Sequence, residues 1–248
     1  MISGEYSRIG LGNYKDLFGD KDFTKALRNT SIYVVFVVPC SIALSLLIAV
    51  LLNSNIKFRG LFQTIFFLPY VTSVIAIGLV WSWIFNSNYG LLNYVLSWFG
   101  IAKVQWLNKP KYALPSLIIF SVWKSMAFDI LIFLAGLQTI PKDLYNAARV
   151  DSTPRWRVFW KITVPGIAPM ISYAFIMGFI SAFKVYNEVF SLWGGKAGPA
   201  NSAITVVYYI YDKFYNSHNY GLASAAAVIL FLIILVLTVV QRMMGKKK

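Results

Sequence analysis

The chain is short of the residues on which most soluble catalysis is built. Its 248 residues include one cysteine, Cys40, and one histidine, His218. A lone cysteine excludes an intrachain disulfide. A lone histidine leaves no histidine-based metal cluster, and neither residue sits beside a nucleophile motif, which excludes Ser/His/Asp and Cys/His catalysis. No G-x-x-x-x-G-K-[ST] phosphate loop occurs, since Gly195-Lys196 is followed by Ala197. The chain is therefore expected to hydrolyse no ATP and to hold no metal or cofactor of its own. Charge is also scarce, at 13% of residues, and acid is scarcest, with 9 Asp and Glu against 23 Lys and Arg.

Apolar side chains fill the place of all these, at 58% of the total. They fall into five runs, at 31–52, 65–85, 114–137, 166–190 and 222–241. Each can cross a hydrocarbon core of about 30 Å at about 1.5 Å per residue. The pattern predicts an all-α polytopic membrane bundle of about five transmembrane helices, a single domain over residues 1–248. The alternating segments of a β-barrel are not seen, nor is a convincing inverted repeat of the kind many secondary transporters show. Pro39 and Pro69 predict bends in the first and second spans. Trp81 and Trp83 suit an outer aromatic belt. Residues 1–30 carry no secretory apolar region, and 13–29 show the weak amphipathy of a short surface helix. The stretch Y-G-L-L-N-Y-V-L-S-W-F-G reads as an interfacial helix too short to span.

The net charge of +14 invites a nucleic-acid reading, which its distribution does not support. With the polar island 138–165 inside, the cytoplasmic segments 53–64, 138–165 and 242–248 hold 11 Lys and Arg in 47 residues. The external segments 1–30, 86–113 and 191–221 hold 10 in 89. The density follows the positive-inside rule, with Arg242 and the terminal lysines as the clearest anchor. No basic face interleaved with exposed aromatics appears.

The island itself reads Q-T-I-P-K-D-L-Y-N-A-A-R-V-D-S-T-P-R-W-R-V-F-W-K-I-T-V-P. Pro141 and Pro154 suit first-turn positions, Ser152-Thr153-Pro154 separates two short helices, and Pro165 ends the second. Ala147 and Ala148 together offer a low-profile surface for a partner. A helix pair lying on the membrane surface is the simplest reading. The order N-A-A-x-x-D-S…I-T-V-P-x-x-x-P also resembles the EAA loop of ABC-importer membrane subunits, E-A-A-x-x-D-G followed by I-x-L-P. Ala147, Ala148, Asp151, Ile162, Pro165 and Pro169 match. Asn146 replaces the usual Glu and Ser152 the usual Gly, so the Glu charge and the positive-φ freedom of glycine are both absent.

The likeness extends along nearly the whole chain. G-L-G-N-Y-K-D-L-F and F-T-K-A-L-R-N-T resemble the external stretch after the first helix of carbohydrate-type importer permeases. In that family one more helix usually precedes this stretch, and the present sequence starts after the point where it would stand. F-L-P, G-L-L-N and W-L follow in the order of the maltose and glycerol-phosphate permeases.

Four ionisable residues fall in or near the spans: Lys124 and Asp129 in the third, Lys184 and Glu188 in the fourth. Each costs about 2.5–3.5 kcal/mol at a helix centre, so they face a bundle interior or a wet cavity. Lys184 and Glu188, four apart, are placed to pair on one helix face, while Lys124 and Asp129 need partners elsewhere. Interhelical salt bridges and a polar path both fit. The resemblance implies substrate contacts on the helix before the island, at Trp123, Lys124, Ser125, Phe128 and Asp129. It implies others on the helix after it, at Ser181, Lys184, Tyr186, Asn187 and Glu188. It also implies ATPase coupling through Asn146, Ala147, Ala148, Asp151 and Ser152.

The whole reads as a multi-pass permease subunit of an ABC importer in a bacterial cell membrane, carrying a carbohydrate. Its implied partners are a second permease subunit, a cytoplasmic ATPase dimer that binds ATP and Mg, an extracytoplasmic solute-binding protein and membrane lipid, but no nucleic acid. Glycerol phosphate, polyamine or another small solute are the alternatives within the class. A secondary transporter or channel, or a membrane adaptor, are those outside it.

Overall fold

The computed structural model describes residues 11–54 and 57–245; the first ten residues and the terminal lysines lie outside them. All regular structure among the described residues is helical. Helix α1 (Gly12–Gly19) is followed at once by α2 (Lys21–Leu52), so the expected surface helix is two pieces joined at Asp20. Asp20 caps α2 by accepting from the Asp22 amide at 2.8 Å, the usual role of an Asp at this position. Its other oxygen accepts from the Tyr209 hydroxyl at 2.9 Å and lies 3.1 Å from Lys213 Nζ. Partial burial pushes the Asp20 carboxyl up, but the bonds from Tyr209, Lys213 and the Asp22 amide outweigh it and leave it below its ordinary value.

Helix α2 runs unbroken through Pro39. Its buried residues recur at Ala26, Thr30, Val34, Val37, Ser41, Ser45 and Ala49, one face of a 3.6-residue period. That face packs on α6 (Pro110–Thr139), where Ser45 Oγ donates to the Met126 carbonyl at 3.4 Å.

The second span is not one helix. α3 (Arg59–Val71) and α4 (Val74–Ile84) meet at 105° across Thr72 and Ser73. Pro69 stays inside α3, and the break falls where Thr72 and Ser73 turn extended. Trp81 belongs to the interior and not to the aromatic belt: it packs on Phe85, Phe120 and Trp123 at 5.1–5.6 Å, while Trp83 is exposed. α5 (Leu91–Ser97) is a helix too short to span, as expected. Its buried Asn93 clasps the loop behind it, donating to Val104 O and accepting from Val104 N and Trp106 Nε1.

α6 leads into the island helix α7 (Lys142–Val150). The next helix begins as α8 (Arg155–Val158), opens into a π turn over Phe159–Thr163 and closes as α9 (Val164–Gly166). Pro165 therefore does not end it. The π turn places the Val164 amide on Phe159 O, so Pro165, which has no N–H, leaves the ladder intact just beyond. The elbow formed by α8, the π turn and α9 meets α10 (Ala168–Phe183) at 68°.

The fourth span also ends early. α10 stops at Lys184, and α11 (Asn187–Leu192) starts afresh after a non-helical Tyr186. α11 packs closely on α4, where Gly78 leaves room: a Cβ there would lie 2.1 Å from Ser191 Oγ. α12 (Val206–Tyr211) then leads to α13 (Tyr220–Gly245), the last span. Among the described residues three helices are long and apolar enough to cross as single rods, and counting each bent pair as one span brings the number to as many as five.

Two apolar cores result. One gathers Phe23, Tyr33, Phe85, Phe120 and Tyr209. The other gathers Leu46, Ala49, Phe133, Leu137 and Ile167. Along α6 the first ends at Phe120 and the second begins at Ile130, and the gap between them is where the polar residues lie.

Candidate functional site

At that level the bundle opens into a cavity of about 450 Å3. α6 contributes Lys124, Ser125, Phe128 and Asp129; α10 contributes Ser181, the break after it Lys184, and α11 Asn187 and Glu188. These are eight of the residues singled out in the sequence, brought together from two spans. Trp123 and Tyr186 are not among them. Trp123 turns to Trp81 at 5.3 Å, and Tyr186 packs with Tyr211 at 5.0 Å outside the cavity.

The ion pairing differs from expectation. Because the helix stops at Lys184, Glu188 no longer lies one turn above it. Glu188 Oε1 instead accepts from Lys124 Nζ at 2.6 Å, joining α11 to α6. Lys124 and Glu188 side chains are 24% and 15% exposed, so the pair forms part of the cavity wall. Lys184 is exposed and Asp129 is 8% exposed, and neither has an ion-pair partner among the described residues.

The sequence reading missed the cavity's aromatic and hydroxyl lining from other elements: Tyr33 and Ser41 on α2, Tyr70 on α3 and Tyr173 on α10. Tyr70 stacks on Phe128 at 5.1 Å with planes 19° apart. Tyr33 and Ser41 are eight apart on the buried face of α2, a signal visible in the helical period of that span. Nothing in the sequence indicates that this face meets α10.

The island is ordered by its caps. Pro141 and Pro154 stand one residue outside their helices, with extended backbones. At the end of α7, Ser152 N donates to Arg149 O and Thr153 N to Ala148 O, at 3.1 and 2.9 Å. This is the Schellman pattern, which requires a left-handed residue between. Ser152 supplies it at φ 54°. The turn that glycine would make freely is thus made by serine at a cost. A left-handed L-residue costs about 1–2 kcal/mol, and glycine returns about 0.5–1 of that through unfolded-state freedom. Ser152→Gly is accordingly expected to stabilise the purified chain by about 0.5–1 kcal/mol, read as a higher thermal midpoint in detergent. An unchanged or lower midpoint would show that the turn is not strained.

α7 has two distinct faces. Tyr145, Ala148, Arg149 and Ser152 share one, at the i, i+3, i+4, i+7 spacing, and it lines a cavity beside Phe159 and Val50, with Ala148 buried and Arg149 and Ser152 exposed. Asn146, Ala147 and Val150 share the other, with Val150 85% exposed. The two alanines therefore do not form one surface: Ala147 is exposed, whereas Ala148 is 8% exposed within the chain.

A bundle of this kind, with an island helix between its third and fourth spans, has known counterparts. Residues 41–248 match the family described as the binding-protein-dependent transport system inner membrane component. The chain belongs to this family. This permease is 35% identical over 244 residues to the arabinooligosaccharides transport system permease protein AraP of Halalkalibacterium halodurans, covering 97% of this chain and 76% of that one. It is 33% identical over 238 residues to the trehalose/maltose transport system permease protein MalF of Thermococcus litoralis, covering 96% and 80%. Among solved structures it superposes on a chain of a bacterial alginate ABC transporter in complex with an alginate pentasaccharide-bound periplasmic protein. The TM-score is 0.87 at 26% identity, over 96% of this permease and 83% of that chain.

Proposed function

We propose that this permease forms half of the translocation path for an oligosaccharide and is driven through residues 138–165 by a separate ATPase that binds ATP and Mg. The cavity carries the reading. Phenol rings at Tyr33, Tyr70 and Tyr173 stand among hydroxyl, amide and charged groups at Ser41, Ser125, Asn187 and the Lys124–Glu188 pair. Aromatic faces with interspersed donors and acceptors suit a sugar, whose rings are apolar on one side and hydroxylated at the edge. Ser181, Lys184 and Asn187 are exposed where the cavity opens, a side that a second permease subunit would close. The sugars in the names of the relatives support the same class.

Coupling follows from chain order. Much of the cavity lining lies on α6 and on α10 with the short α11 that follows it, and the island joins α6 to α10. An ATPase gripping the outward face of α7, with Asn146, Ala147 and Asp151, would act on both walls. Ala148, buried, and Ser152, through the left-handed turn it makes, would act by holding α7 in place. A solute-binding protein would deliver substrate to the external segments 86–113 and 191–221. Lys184, which has no carboxylate partner among the described residues, favours a second reading, an anionic solute such as an acidic sugar or glycerol phosphate.

The test is reconstitution of this permease with its partner subunits in vesicles, followed by uptake of labelled arabino-oligosaccharide, maltose and glycerol phosphate. Uptake of a sugar that requires both ATP and the binding protein is the expected result. Uptake driven by an ion gradient without ATP would overturn the reading in favour of a secondary transporter.

A further inference from the structure

A second cavity, of about 660 Å3, lies against the Ala148–Arg149–Ser152 face of α7 and has no part in the path described above. Its polar lining includes Arg149, Arg155, Ser152 and Thr153, of which both arginines are also open to solvent. Its apolar side includes Val50 and Phe159. No carboxylate lines it, and neither arginine has an ion-pair partner among the described residues. Two guanidinium groups beside two hydroxyls, with no acid, form the donor set of an oxyanion such as phosphate.

Its depth distinguishes one source of phosphate from another. Val50 lies two residues before the end of the span α2. The elbow that supplies Arg155 and Phe159 is set at 68° to α10, so where α10 crosses the bilayer the elbow lies nearly along its surface. Trp156 and Trp160 stand exposed on that elbow, at 64% and 63%, as interfacial anchors do. The cavity therefore opens at headgroup level. Its apolar side has no use to a free anion but suits the glycerol and first acyl carbons of a lipid.

We propose that this cavity seats the phosphate of an anionic phospholipid headgroup, held by Arg149 and Arg155 behind the island helix. The site stands on the membrane-embedded fold alone; its bearing on the ATPase rests on the coupling role proposed above. Because Arg149 and Ser152 lie on the face of α7 opposite Ala147 and Val150, lipid and ATPase would occupy the helix together. The lipid would brace α7 against the end of α2 and the elbow.

Native mass spectrometry of the delipidated full chain, dosed with phosphatidylglycerol or phosphatidylcholine, tests this. Wild-type protein is expected to prefer phosphatidylglycerol by about ten- to thirty-fold, as two basic residues near a headgroup provide. Arg149→Gln with Arg155→Gln should bring the preference close to unity. Arg157→Gln with Lys161→Gln removes the same charge from residues outside the cavity lining and should preserve most of it. Should the double cavity variant fail to fold, Arg155→Gln alone, at an exposed position, is expected to lower the preference several-fold. Equal loss in both double variants would mean diffuse surface charge and overturn the site. Displacement of the lipid by millimolar inorganic phosphate would overturn the lipid in favour of a soluble anion. Loss of ATPase co-purification with lipid preference unchanged would assign the arginines to the ATPase dock instead.

Discussion

Glu188→Gln is expected to lower uptake by about ten- to a hundred-fold and to reduce the chain's thermal stability, and Lys124→Met alone should do the same. The two side chains meet at 2.6 Å between α11 and α6, and both are partly exposed to the cavity. Removing one strands the other. In a fully buried site this costs about 3–5 kcal/mol, but cavity water lowers it here toward the roughly 1.5–3 kcal/mol of a hydrogen bond to a charge. The double variant, Lys124→Met with Glu188→Gln, leaves no stranded charge and should regain stability. Whether it also regains uptake decides the pair's role. A carboxylate that accepts from sugar hydroxyls is not replaced by removing its partner, so uptake is expected to stay low. Stability and uptake rescued together would make the pair a structural tie and remove Glu188 from the path.

Ala147→Arg should abolish co-purification of the ATPase while leaving the isolated chain as stable as wild type. Ala147 is exposed on the outward face of α7, so the long side chain is free in the chain alone and obstructs only a partner that packs closely. Ala148→Arg should behave differently. Ala148 is 8% exposed and its carbonyl accepts the capping bond from Thr153. A guanidinium forced in there crowds the packing, at about 1–3 kcal/mol or more. It also stands beside Arg149 and Arg155, like charges that oppose it. Loss of chain stability should therefore precede any loss of partner. Normal ATPase co-purification and unchanged uptake with Ala147→Arg would sink the docking assignment.

These contrasts show where sequence reasoning reached and where it stopped. The spans were legible because hydropathy is a local sum, indifferent to whether a helix runs straight. The 105° break at Thr72 and Ser73 leaves that sum unchanged, and Pro69, the residue that signals a bend, lies inside a helix. The same blindness produced the expected Lys184–Glu188 pair. Spacing by four means one face only while the helix continues, and here it stops between them. Lys124, Asp129, Lys184 and Glu188 were legible because intramembrane charge is costly wherever it occurs, whereas Ser125, Phe128, Ser181 and Asn187 came only with the family resemblance. Tyr33, Tyr70 and Tyr173 carry no such signal. An aromatic residue in a span looks the same whether it packs or lines a cavity, and only the pairing of α2, α3, α6 and α10 separates the two. Ser152 is a further case: the sequence shows only that glycine's positive-φ freedom is absent, whereas in the structure the turn's hydrogen bonds hold a serine left-handed.

α6 deserves to be considered as a mechanical part. It is a single rod of 30 residues, about 45 Å long. Lys124 lies some 22 Å along it from Thr139, by the same rise per residue. A tilt of about ten degrees imposed at the island would sweep Lys124 through about 4 Å. The other route from the island to the cavity passes through the 68° corner before α10 and the break after it, joints that can flex before they transmit. The two walls of the cavity are thus attached to the same point, one by a stiff lever and the other by a jointed one. A single displacement at the cytoplasmic end would shear them past each other, and the Lys124–Glu188 contact, which spans that seam, would feel the stroke first.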